Sequence, residues 1–197
     1  VSLMLRDGIP FVSAGRHPQE GIHTVDVDNL GGARVAVEHL LRLGHRRIAT
    51  VAGPAKMTSG QDRLEGYRRA LEAYHVPVDE RLIAHGDYTE DGGKLAVQRL
   101  LPAGPTALFV ASDSMAVGAL KWLRQAGRRV PDDIAVVGFD DIQSRLSYPY
   151  PLTSVGYGKG RMAEAAVDSL LEAVERPAAA PPVRLVVGVE LAVRGST

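Results

Sequence analysis

Short apolar runs alternate with amphipathic stretches along this chain, and that alternation restricts its fold more than any other feature. The apolar runs end at Gly53, Gly86, Ala111 and Phe139, and between them apolar residues recur at helical spacing. Strands separated by helices pair in parallel through right-handed crossovers, giving a sheet covered by helices on both faces. The fold class is therefore α/β. Each apolar run is followed by polar residues: Ser59 and Arg63, Asp87 and Tyr88, Ser112 and Asp113, Asp140 and Asp141. Ligands of open parallel sheets bind beyond the carboxyl ends of the strands, so these clusters are placed to share one cleft. Carboxylates, a guanidinium, hydroxyls and an aromatic ring suit a small polyhydroxylated molecule.

The expected elements run in order. Residues 1–8 read as the last turn of a helix stopped at Gly8, before a strand Ile9–Val12; a helix tail with no helix before it predicts a fragment. Thr24–Val27 is a short strand, with Asp28 and Asn29 offering helix-capping chemistry. The helix Ala33–Leu43 carries Ala33, Val37, Leu40 and Leu41 on one face and ends at Gly44. Strand Arg47–Ala52, a loop from Gly53 to Gly60 and a helix with Leu64, Tyr67, Leu71 and Tyr74 on one side follow. Strand Leu82–Ala84 leads to Thr89, the expected cap of a helix reaching Leu101. Strand Ala107–Ala111, a helix from Asp113 to Gly127 and strand Ile134–Phe139 complete the beat. It then breaks into an extended Leu152–Val155, a helix Met162–Val174, a linker Arg176–Pro182 and one long apolar strand, Val183–Val193. Proline-joined end segments suggest a chain recrossing between two lobes.

Composition removes several classes. Lys and Arg together number 23, as do Asp and Glu, so there is no whole-chain field to attract nucleic acid or anionic lipid. Cysteine is absent, which excludes disulfides, thiolate metal sites and a cysteine nucleophile. No apolar run approaches the ~20 residues needed to span a bilayer, and the opening residues are not a secretory signal. The six histidines (His17, His23, His39, His45, His75, His85) show no metal-ligand pairing on one helix face, and no Gly-x-Ser-x-Gly elbow occurs. The expectation is no catalytic residue, no metal and no cofactor. The Met115–Leu123 stretch is apolar almost all round, which fits either a dimer interface or deep burial within a lobe.

An ordered series of motifs resembles the LacI/GalR family of bacterial transcription regulators, in the part that senses the effector. The series is Gly8-Ile9-Pro10-Phe11-Val12, Val27-Asp28-Asn29 with Gly32-Ala33, and Glu38-His39-Leu40-Leu41-Arg42-Leu43-Gly44-His45-Arg46-Arg47-Ile48. Arg63-Leu64-Glu65-Gly66-Tyr67, Gly86-Asp87-Tyr88-Thr89, Ser112-Asp113-Ser114-Met115-Ala116 and Val137-Gly138-Phe139-Asp140-Asp141 continue it. Pro151-Leu152-Thr153-Ser154-Val155 and Val193-Arg194-Gly195-Ser196-Thr197 end it. The resemblance implies a type I periplasmic-binding-protein-like fold: two doubly wound parallel-sheet lobes, the first incomplete in this chain, with ligand between them. It places crossings near Asp28–Asn29, Leu152–Val155 and Pro181–Pro182. The first lobe is then 1–28 plus 153–182, and the second 29–152 plus 183–197. The family's helix-turn-helix DNA reader is not within these residues.

The resemblance also weights the site. Asp140 matches a sugar-hydroxyl acceptor, against turn capping as the plain alternative; Asp141 beside it reads as the cap. Arg63 matches a ligand-binding arginine, against a surface pair with Asp62 or Glu65. Ser59 is a ligand contact or the N-cap of the Arg63 helix. Tyr88 is a stacking ring or a half-buried core tyrosine. Ser112 and Asp113 stand where the family usually carries Asn-Asp, and serine offers one short hydroxyl in place of an amide. Arg16 is a clamp from the other lobe or a solvated loop residue. Gly156-Tyr157-Gly158-Lys159-Gly160 reads as an inter-lobe hinge rather than a phosphate cradle, with Tyr157 available as a contact.

The leading expectation is an effector-sensing domain of a cytoplasmic regulator. A sugar or sugar derivative closes the lobes of a homodimer and so changes its hold on DNA, with no membrane partner. The alternative is a solute-binding receptor of a sugar transport system. A hydrolase or transferase lacks any nucleophile–base pair.

Overall fold

The computed structural model describes residues 1–17, 19–142, 150–175 and 183–197. Its elements are α1 (Ser2–Arg6), β1 (Val12–Ala14), β2 (His23–Val27), α2 (Asn29–Arg42), β3 (Ile48–Ala52), α3 (Thr58–Ala73), β4 (Ile83–His85) and α4 (Glu90–Leu100). There follow β5 (Ala107–Val110), α5 (Asp113–Gln125), β6 (Ala135–Phe139), β7 (Thr153–Tyr157), α6 (Lys159–Glu175), β8 (Arg184–Val187) and β9 (Val189–Ala192). The chain divides into two compact units, Val1–Asp28 with Tyr157–Gly188, and Asn29–Gly156 with Val189–Thr197.

The smaller unit is a parallel sheet in the order β1-β2-β8, with α6 packed on all three strands. Its first strand begins at Val12 rather than Ile9. The Ile9 amide closes the preceding helical turn on the Met4 carbonyl, and Pro10 has no N–H to give to a ladder.

The larger unit holds a six-stranded sheet in the order β4-β3-β5-β6-β7-β9, with every pairing from β4 to β7 parallel. β3, β5 and β6 are buried along their whole length, as strands covered on both faces must be. Successive side chains alternate faces. Ala49, Val51, Leu108, Val110 and Val136 join α4 and α5 in one core cluster, and residues of the opposite parity, Phe109 and Val137 among them, look toward α2 and α3. Helix ends follow the glycines: Gly44 (φ +94°) closes α2, with its amide and that of His45 on the Leu41 and Leu40 carbonyls.

The end of the chain differs from the sequence reading. The apolar run Val183–Val193 is two strands broken at Gly188: β8 pairs with β2 of the smaller unit, and β9 lies at the edge of the larger sheet. Thr153–Val155, assigned from sequence to the first lobe, pairs with Val137–Phe139 of the larger sheet. Composition does not separate such segments, because each is a short apolar strand whichever sheet receives its backbone. The Arg176–Pro182 linker, with the Pro181–Pro182 crossing, lies outside the described residues.

α5 resolves its two alternatives toward burial. Met115, Ala116, Val117, Ala119, Leu120 and Leu123 are all buried within the unit, so packing against α4 and the sheet accounts for its apolar surround. The two helices approach through glycines. A Cβ on Gly118 would lie 1.8 Å from the Glu90 carbonyl oxygen, and one on Gly93 would lie 2.1 Å from that of Met115. Gly118→Ala must therefore push the helices apart, and we expect a loss of about 2–3 kcal/mol in denaturant unfolding. Thr50 Oγ1, buried in β3, has no hydrogen-bond partner among the described residues. Thr50→Val removes that unmet group, and its denaturation midpoint is expected to rise by the equivalent of about 1 kcal/mol.

Candidate functional site

Arg63 lies in the second turn of α3 and is only 6% exposed. A guanidinium taken so far out of water needs partners for its donors. Nε donates to Asn29 Oδ1 at 2.8 Å, Nη1 to the Ala111 carbonyl, and Nη2 to Asp140 Oδ1 at 3.3 Å. The guanidinium carbon stands 3.7 Å from the centroid of the Phe139 ring and 5.9 Å from that of Tyr88. The Tyr88 hydroxyl in turn pairs with Ser59 Oγ at 3.0 Å. Arg63, Asp140, Tyr88 and Ser59 are thus brought together beyond the carboxyl ends of β3, β4, β5 and β6.

The backbone here is strained. Among the described residues, positive φ outside glycine occurs at His75, Tyr88 (+66°), Asp140 (+102°) and Asp141 (+46°), so three of four such residues belong to this cluster. Each such conformation costs about 1–3 kcal/mol and persists only where its surroundings over-determine it. Strain of this kind concentrates at ligand sites.

Asp113 is placed differently from the expectation of a ligand contact. It is fully buried, Oδ1 accepts the Ser154 hydroxyl at 2.7 Å, and Oδ2 accepts the Ile142 amide at 2.9 Å. Burial raises its pKa to about 6; those two hydrogen bonds oppose the rise, and the Asp140 and Asp141 charges add to it. Gly138 opposite has no room for a side chain, since a Cβ would fall 2.2 Å from Asp113 Oδ1. Asp141 pairs with Arg194 at 2.9 Å.

The other expected residues are spread. Ser112 is the N-cap of α5, its Oγ accepting the Met115 amide at 3.3 Å. Ser59 is not an N-cap: α3 begins a turn earlier than the loop boundary at Gly60 implied, with Met57 at the cap position, which leaves the Ser59 hydroxyl for Tyr88. Arg16, exposed in the smaller unit, donates its amide to Asp26 Oδ2 at 3.0 Å. Tyr157 ends β7, half-buried, with Lys159 Nζ 4.6 Å from its ring centroid. The division between units falls beside it, after Gly156.

Asn29, Phe139 and Ser154 belong to the cluster and were not among the sequence candidates. Ser154 carried a signal: a polar side chain in a short strand must find a partner if that strand is buried. Asn29 carried only an ambiguous one, because asparagine at a helix start ordinarily caps it. Phe139 reads as core. Among the described residues no group of three His, Asp or Glu is arranged to hold a metal ion, and no helix is long and apolar enough to cross a membrane.

An α/β unit with a polar cluster at the carboxyl ends of its parallel strands is the form of a periplasmic-type ligand-binding lobe. The chain belongs to the periplasmic binding protein-like domain family, whose model matches residues 37–197, in the version carried by LacI-type regulators. It is 44% identical over 194 residues to the HTH-type transcriptional regulator CelR of Thermobifida fusca, covering 96% of this chain and 57% of CelR. It is 38% identical over 191 residues to the transcriptional repressor CytR of Escherichia coli K12, covering 95% of this chain and 56% of CytR. The chain thus spans little more than half the length of these relatives. Among solved structures, a CelR–cellobiose complex superposes with a TM-score of 0.91 at 42% identity, over 99% of this chain and 61% of that one. A LacI family regulator from Enterococcus faecium with bound ribose gives 0.88 at 25% identity, over 98% and 72%.

The raised pKa of Asp113 has a definite sign. Between its ordinary 3.8 and about 6, the folded protein holds a proton that the unfolded chain has released, so stability falls as pH rises through that window. His39 and His45, lowered chiefly by burial, act oppositely, since stability falls as they take up protons on acidification. The comparison of Asp113→Asn with wild type isolates the carboxylate. The melting temperature of the variant relative to wild type is expected to climb from pH 4 to pH 7, by the equivalent of about 3 kcal/mol at most.

Proposed function

We propose that this chain is the sugar-sensing part of a LacI-type transcriptional regulator, and that Arg63 and Asp140 supply the principal polar contacts to the effector. The observation that carries the reading is the Arg63–Asp140 pair, stacked on Phe139 and flanked by Tyr88, at the carboxyl ends of the parallel strands. A cation and a carboxylate side by side offer donors and an acceptor with little net charge, which matches a sugar's vicinal hydroxyls. The Tyr88 ring supplies an apolar face for stacking on a pyranose, with its hydroxyl held by Ser59. Asp113 serves this arrangement from beneath, and Ser112 of the larger unit and Arg16 and Tyr157 of the smaller unit are further candidate contacts.

The CelR–cellobiose and ribose-bound relatives support a sugar effector, and the regulators among the relatives support transcription control over solute transport. In the whole protein, effector binding closes the lobes of a cytoplasmic homodimer and alters its hold on operator DNA, a coupling of about 1–3 kcal/mol in such systems. No catalytic step is assigned, and no cofactor or metal is needed. Isothermal titration with cellobiose and with ribose tests the reading: saturable binding with the sugar recovered unchanged is expected, and turnover or the absence of any sugar response overturns it. Asn tolerates positive φ, so Asp140→Asn keeps the turn while removing the charge. It is expected to weaken sugar binding roughly ten- to a hundredfold with little change in melting temperature.

A further inference from the structure

We infer that Ser154, acting with Asp113, is a positioning residue for the effector: together they hold the Asp140–Asp141 turn so that the Asp140 carboxylate meets Arg63. The inference rests on the sugar-binding reading and concerns how the site is held rather than what touches the ligand.

Leaving β6, the chain turns through two successive non-glycine residues at φ +102° and +46°. Such a turn exposes amides that a strand would otherwise pair, and each one here is caught. The Asp140 amide donates to the Val155 carbonyl at 2.8 Å, continuing the ladder with β7. The next two have side-chain acceptors: the Asp141 amide donates to Ser154 Oγ at 3.2 Å, and the Ile142 amide to Asp113 Oδ2 at 2.9 Å. The two acceptors are joined, because Ser154 Oγ lies 2.7 Å from Asp113 Oδ1. A hydroxyl has one proton. With that proton given to the Asp113 carboxylate, the Ser154 lone pairs face the Asp141 amide, and the carboxylate's second oxygen faces the Ile142 amide.

The arrangement is therefore polarised in one direction, from a fully buried carboxylate through a fully buried hydroxyl to the turn. Neither Ser154 nor Asp113 is exposed to a ligand, so any influence on affinity passes through Asp140. Asp140 is itself partly open, with 22% of its side chain exposed, and 3.3 Å from Arg63 Nη2. Asp141, on the far side of the turn, is anchored on Arg194 at 2.9 Å.

Three variants test this. Ser154→Thr and Ser154→Val have nearly the same volume and differ by the hydroxyl, so packing strain is common to both; Ser154→Ala removes the hydroxyl without added bulk. Amide hydrogen exchange and calorimetric titration with cellobiose and ribose are the measurements. The Val and Ala variants are expected to exchange the Asp141 and Ile142 amides at least tenfold faster than wild type, and to lose tenfold or more in sugar affinity. Their sheet amides remain protected. The Thr variant restores both properties toward wild type. Unchanged exchange in Val and Ala, or faster exchange with undiminished sugar affinity, overturns the inference. If the wild type binds neither sugar, the sugar reading falls separately. Positioning is then judged on the exchange data and on a crystal structure of Ser154→Ala, where an Arg63–Asp140 separation still near 3.3 Å overturns it.

Discussion

A guanidinium cannot be withdrawn from water unless its donors are met, and much of the larger unit's polar architecture answers that demand at Arg63. Its partners come from separate places: Asn29 at the start of α2, the Ala111 carbonyl after β5 and Asp140 after β6, with the Phe139 ring beneath the plane. One cation thus ties two helices and two strand ends to a common point. A buried ion pair of this sort is weak evidence for stability, since desolvation offsets most of its attraction. Its benefit is geometric: it fixes the guanidinium in one orientation, which for the proposed sugar contact means less freedom lost on binding.

The turn after β6 is the complementary device. Two consecutive aspartates in the left-handed region are unfavourable by themselves, and their surroundings hold them there through β7, Ser154 and Asp113. The stiffness needed for this comes from the layers behind. β3, β5 and β6 are buried on both faces, and α4 and α5 meet so closely at Gly93 and Gly118 that neither position has room for a side chain. A rigid scaffold bearing a few strained residues at strand ends is how open parallel sheets present a ligand site.

Much of this was legible in the chain itself. The strand–helix beat, the cap at Thr89 and the glycine stop at Gly44 are local chemistry, and the structure shows each of them. Asp140 was legible as a polar residue just after an apolar strand, and Arg63 through its place in the family motif Arg63-Leu64-Glu65-Gly66-Tyr67. Other residues were not. Asn29 looked like a cap because its pairing with Arg63 spans 34 residues of sequence, a distance over which no pattern operates. Asp113 resembled a ligand contact because an acid at a strand end reads the same whether it faces solvent or a buried serine. Ser59 read equally as a ligand contact or a cap until α3 proved to begin at Thr58.

The sequence by itself determined the parallel α/β class and the positions along the chain where chemistry could gather, because hydrophobic periodicity and capping act over a few residues. Which sheet receives the strands at Thr153, Arg184 and Val189, and which carboxylate points outward and which is buried, were decided only by tertiary structure. Strand pairing is settled by backbone hydrogen bonds that are nearly blind to side-chain identity. The state of an acid depends on what the fold brings within about 3 Å of it.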